Sequence, residues 1–126
     1  MAVLGLAYAF APTAWASPIS SACTALGNAR TALSLMVIAP DKPAQQALDV
    51  KVQASSAKLD ALLAEMTGSN AKVATEVAAV WNRFKATREK KIIPAIYKGD
   101  ADEASRIAHG IQYVRLSKMW KLMSCK

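Results

Sequence analysis

The chain has two cysteines, Cys23 and Cys125, and they stand almost as far apart as its 126 residues allow. If they are bonded, whatever folds between them must return its end to the place where it began. Other roles for cysteine are poorly supplied. His109 is the single histidine, and the chain has neither C-x-x-C nor C-x-x-C-H, so zinc and covalent haem both lack ligands. In an exported chain, two cysteines in this setting read as a disulfide.

The N-terminus points to export. "MAVLGLAYAF" is a short apolar run, and Ala14-Trp15-Ala16 after Pro12 fits the small-residue pattern before a signal-peptidase cut. The expected division is a signal peptide over 1–16 and one domain over 17–126. The basic opening of a signal peptide is missing, since no Lys or Arg precedes Arg30. The apolar run is too short to span a bilayer, and no later segment is apolar for long enough. The expected location is therefore periplasmic or secreted.

What lies between the cysteines reads as helix. Ala, Leu, Lys and Glu are plentiful, Gly and Pro number 5 each, and no β-branched run alternates in polarity. The first helix is expected over 21–38, with Ala22, Leu26, Ala29, Leu33 and Met36 as its buried seam. "APDKPA" stops it, and Asp41 can cap a second helix over 42–66. That seam is Leu48, Val52, Leu59, Leu62 and Met66, with Ser55 in the gap. "TGSN" ends it, with Gly68 suited to a left-handed position and Ser69 or Asn70 as the next cap. A third helix over 71–98 carries Val73, Val77, Val80 or Trp81, and Phe84. Thr87, Arg88 and Lys91 interrupt its pattern before Ile92, Ile93 and Ile96 resume it, and Pro94 should kink it. Gly99 ends it. Asp100 and Glu103 form a D-x-x-E capping pattern for a fourth helix over 101–123, with the seam Ala104, Ile107, Ile111, Val114 and Leu122, broken by Lys118.

Short connections make consecutive helices antiparallel. The expected fold is all-α, an up-down-up-down four-helix bundle, in which the start of helix one and the end of helix four share one end. Cys23 and Cys125 then meet, and the bond closes a loop long enough to contribute about 4–5 kcal/mol in the chain-entropy model.

The net charge is +7, and residues 1–29 carry none of it. A basic surface suits nucleic acid, anionic lipid or small anions. Aromatic residues make up only 6%, and "ATREKK" contains none, so platforms for stacking bases are poorly represented. This argues against nucleic acid as a partner.

The stretch "VAAVWNRFKATREKKIIPAIYKGDADEASRIAHGIQYVRLSKMWKLM" resembles the second hairpin of periplasmic four-helix-bundle sensor domains of methyl-accepting chemotaxis receptors. Trp81, Phe84, Gly99, Asp100 and Ala104 carry the likeness: two spaced aromatics, a charged run, and a G-D-x-x-x-A turn. "LGNARTALSLMVIAPDKPAQQALDVKVQASSAKLDALL" fits the first hairpin, with Arg30 as its helix-one arginine. The periplasmic bundles of nitrate-sensing kinases and type IV pilus transducers are similar in the same way. The resemblance spans residues 21–124 and implies a ligand-sensing bundle. The chain departs from those receptors in lacking a second membrane span, a linker module and a signalling coiled coil, and their paired arginines are not evident.

Four cations are candidate ligand-binding residues. Arg88 and Lys118 fall on or beside apolar seams, where a cation costs free energy unless it is paired or reaches water. Arg30 and Arg115 are possible further donors to an anion or carboxylate, which guanidinium groups bind bidentately. The plainer alternative is seam-edge residues whose stems snorkel outward. Met36 and His109 are the residue types that hold haem in small b-type four-helix cytochromes, but their order along the helices is reversed here. No Glu-x-x-His pair supports a di-metal site, and no G-x-S-x-G frame positions a nucleophile. Neither a catalytic residue, a metal nor a cofactor is therefore expected. The expected function is a non-enzymatic binding or sensor-like module for a small anion or an envelope protein partner, with a homodimer as one possible form. The alternatives are a structural or accessory subunit of a cell-envelope complex and, less so, a b-type haem electron carrier.

Overall fold

Three breaks, at Pro40, Gly68 and Gly99, divide the chain into four helical rods. The structure is a computed structural model describing residues 17–126; the expected signal peptide over 1–16 lies outside the described residues. The first rod is α1 (Pro18–Ile38) and the second is α2 (Lys42–Glu65). The third comprises α3 (Ser69–Thr87), a π turn (Arg88–Ile92) and α4 (Ile93–Tyr97). The fourth comprises α5 (Ala101–His109) and α6 (Ile111–Leu122). Neighbouring rods run antiparallel, as an up-down bundle requires.

Local chemistry explains the boundaries. The Ser17 hydroxyl accepts the Ser20 N–H at 2.9 Å, and Pro18 occupies the first turn, so α1 starts earlier than its apolar pattern suggests. Asp41 caps α2 by accepting the Ala44 N–H at 2.9 Å. Gly68 has φ +62°, but it stands directly before α3 rather than closing α2. Ser69 and Asn70 lie inside α3 and provide no side-chain cap, because backbone carbonyls of Thr67 and Gly68 take the N–H groups of Asn70 and Ala71.

Gly99, at φ +82°, closes α4 in a Schellman arrangement, with the Asp100 N–H on the Ala95 carbonyl and the Gly99 N–H on that of Ile96. Asp100 caps α5 through the Glu103 N–H at 3.1 Å. The reciprocal half of the expected capping pair does not form, because the Glu103 carboxylate turns to Arg106 instead.

The core has two clusters. One, toward the disulfide, gathers Leu26, Leu59, Val77, Trp81, Phe84 and Met119; the other gathers Leu33, Met36, Val52, Ile92, Ile96 and Ile107. All five expected seam residues of α1 are buried. In α2, Ser56 and Leu63 are the buried positions, rather than Ser55 and Leu62. The fourth rod departs most from a regular pattern. Gly110 separates α5 from α6 and moves the buried stripe along by one residue. Gln112 and Met119 turn inward, at 2% and 0% exposure, while Ile111 and Val114 turn outward, at 50% and 60%. Lys118 lies on the exposed side, off the seam.

Cys23 and Cys125 are bonded across 102 residues, with their Cα atoms 5.7 Å apart. Ser124, at φ +54°, and a second Schellman pair (the Cys125 N–H on the Trp120 carbonyl, the Ser124 N–H on that of Lys121) turn the chain end toward Cys23. Among the described residues, no helix is long and apolar enough to cross a membrane. A disulfide suits an oxidising, extracytoplasmic environment.

Candidate functional site

Two irregularities face each other across the third and fourth rods. On the third, the helical ladder loosens to a π turn, with the Ile93 N–H on the Arg88 carbonyl. On the fourth, the break falls at Gly110, where a Cβ would stand 3.0 Å from the Arg106 carbonyl oxygen. Side chains of α6 stitch the two rods together here. Gln112 Nε2 donates to the Phe84 carbonyl at 2.9 Å. Arg115 Nη1 donates to Thr87 Oγ1 at 2.7 Å, to Gln112 Oε1 at 3.1 Å and to the Arg83 carbonyl at 3.4 Å. Gln112 is thus a buried polar residue with its donor satisfied, as burial demands.

Beside this seam lies an open cleft of about 680 Å³. Lys90 and Lys91 line it from the π turn, Lys98 from beyond α4, Arg106 from α5 and Arg115 from α6. Its only carboxylates are Asp100 and Glu103, and both are engaged. Asp100 caps α5, and Glu103 receives the Arg106 guanidinium in a bidentate pair at 2.7 and 2.8 Å. That guanidinium holds the Glu103 carboxyl below the usual carboxylate range, with Lys91 adding to the effect. Lys90, Lys91 and Lys98 form no ion pair among the described residues. The cleft therefore presents uncompensated positive charge to any anion small enough to enter.

A second polar strip runs between α2 and the third rod. Arg88 is only 2% exposed. Its Nη1 donates to Ser56 Oγ at 2.7 Å, its Nε to Glu89 Oε2 at 2.8 Å, and its guanidinium lies 5.8 Å from the centre of the Trp81 ring. The Ser56 hydroxyl in turn donates to the Val52 carbonyl at 2.7 Å. Glu89 also accepts from Gln53, Gln53 donates to Asp49, and Asp49 accepts from the Tyr97 hydroxyl at 2.8 Å. At the other end, Asp60 accepts from Trp81 Nε1 and from Lys85, each at 2.7 Å. Burial and the hydrogen bond to Asp49 push the Tyr97 hydroxyl up to about 12.

The four candidate cations lie in different places. Arg115 lines the cleft. Arg88 faces α2 and is satisfied by Ser56 and Glu89. Arg30 is exposed on α1, beside α6, and Lys118 is exposed on α6. Met36 is wholly buried in the core, whereas His109 is exposed and holds the Ser105 carbonyl with Nδ1 at 2.8 Å. Sequence reasoning missed Lys90, Lys91, Lys98 and Arg106 as a group. The signal was present, since Thr87, Lys91, Pro94 and Lys98 stand four, three and four residues apart and share one helix face, with Lys90 beside them. Comparison of the chain with protein-family models, with curated proteins and with solved structures finds no match.

Proposed function

We propose that this protein is an exported, non-enzymatic binding module that takes up a small, multiply charged anion in the cleft between its third and fourth rods. The observation that carries this reading is the charge balance of the cleft. Three lysines and Arg115 surround it, while both carboxylates are spent on a helix cap and an arginine pair. Because neither carboxylate is free to act as a base, binding suits the site better than catalysis. The disulfide supports an extracytoplasmic setting, and the likeness to periplasmic sensor bundles is in keeping with a ligand-responsive role.

Melting curves with inorganic phosphate, sulfate and citrate test the proposal. Stabilisation should rise from the monovalent control chloride to citrate. The double variant Lys91→Gln/Lys98→Gln should lose most of it while folding normally. Equal stabilisation in the variant would remove the cleft as the site.

A second reading has its own observation. Ile111 and Val114, three positions apart on one face of α6, are exposed by 50% and 60%. Such an apolar patch suits a subunit contact, as an accessory component of an envelope complex would need. Co-purification from membranes, lost on Val114→Glu, would favour it.

A further inference from the structure

The first and fourth rods do not close upon each other. A groove runs between α1 and α6 in two stretches that share Arg30, Tyr113 and Leu116. The stretch away from the disulfide encloses about 350 Å³, within the range of small-ligand pockets. Leu33, Val37, Phe84, Ala108 and Leu116 make its walls mainly apolar. The stretch toward the disulfide, about 610 Å³, is more polar and carries Lys121, Ser117 and Ser124. Arg30 therefore stands where an apolar channel meets a polar one. No carboxylate lines either stretch, and Arg30 makes no ion pair among the described residues.

We propose that this groove is a second binding site, for an amphipathic organic carboxylate with a linear apolar tail. The carboxylate meets the Arg30 guanidinium in a bidentate pair, with the Tyr113 hydroxyl positioned on the same groove to donate to it. The tail lies along Leu33, Val37 and Leu116 over Phe84, where burial of its methylenes supplies most of the binding free energy. Charge sets the class of ligand: the groove offers cations and no anion, so an amine or a zwitterion gains nothing at Arg30. Size sets the tail, because the apolar stretch, bounded by α1, α5 and α6 over Phe84, holds only about 350 Å³. The site shares no lining residue with the cleft between the third and fourth rods.

Isothermal titration with decanoate, below the concentration at which it forms micelles, tests this. Decanoate should bind with a one-to-one stoichiometry, and decanol should bind about tenfold or more weakly, the value of one charge-assisted contact. Arg30→Gln should weaken decanoate by a similar factor. Because Arg30 is exposed, this variant keeps its fold. Ala108→Leu, which fills the slot without altering charge, should abolish binding of both probes. Lys91→Gln/Lys98→Gln should bind decanoate normally while losing its response to phosphate, so the two sites stand or fall separately. Absence of decanoate binding, equal affinity in Arg30→Gln, or binding that accompanies a change in oligomeric state would each overturn the proposal; the last would assign the groove to a second copy of the chain.

Discussion

Arg88 shows how one side chain is retained in a place that disfavours it. Its stem occupies an apolar seam, and its charge is met by Ser56 and by Glu89, which is itself 45% exposed at the side chain. Two substitutions should therefore behave unequally. Arg88→Met removes the buried charge and keeps the stem, so chemical denaturation should show a change within about 1 kcal/mol, since the Glu89 left behind is half-exposed to water and still accepts from Gln53. Glu89→Ala leaves the guanidinium without its countercharge and should cost more, about 1–3 kcal/mol. A larger loss in Arg88→Met than in Glu89→Ala would contradict this account. Tyr97 provides a pH test. Its hydroxyl is raised from the ordinary 10.0 to about 12 by burial and Asp49. The neutral form is favoured in the folded state, so the associated stability is complete below pH about 10 and is lost as pH rises toward about 12. Unfolding midpoints measured across that window should fall in the native protein and fall less in Tyr97→Phe. The seam position of Arg88 was legible from helical spacing. Its partners were not, because spacing alone selected Ser55, one position away from the Ser56 that faces it.

At the scale of elements, the Asp41 and Asp100 caps were readable whereas the Ser69 or Asn70 cap was not, and the interruption near Arg88 was readable whereas the break at Gly110 was not. Asp100 is a residue type whose short carboxylate reaches an N–H three positions on, so its role follows from local chemistry. Asp100→Ala should cost about 0.5–2 kcal/mol, read as a shift of the denaturation midpoint. Gly110 was different. A continuous helix places Ile111 and Val114 inward, and a break of one residue turns them out and brings Gln112 and Met119 in. Nothing in the apolar pattern alone separates the two registers, because the segment offers an apolar residue to both. Gly110→Ala distinguishes them. In a regular helix the change gains about 0.5–1 kcal/mol. Here a Cβ would crowd the Arg106 carbonyl at 3.0 Å, so the variant should be destabilised instead. Beside this break, lysines of the third rod and arginines of the fourth line a common opening.

For the whole molecule, the number of rods, their antiparallel order and the meeting of Cys23 with Cys125 all follow from turn residues and short connections. The disulfide ties the first rod to the last where the groove between them leaves little packing of their own. Replacing both cysteines with serine should cost about 2–5 kcal/mol. The cleft was not legible at this scale, since a basic composition is equally consistent with an ordinary solvated helix face. Its claim to function rests on where the positive charge is left uncompensated. The direct measurement is amide chemical-shift mapping during titration with citrate at low ionic strength. The account predicts saturable shifts concentrated in residues 90–98 and 100–115, and their loss in Lys91→Gln/Lys98→Gln. Shifts spread evenly over lysines of all four rods, or centred on another face of the bundle, would contradict it.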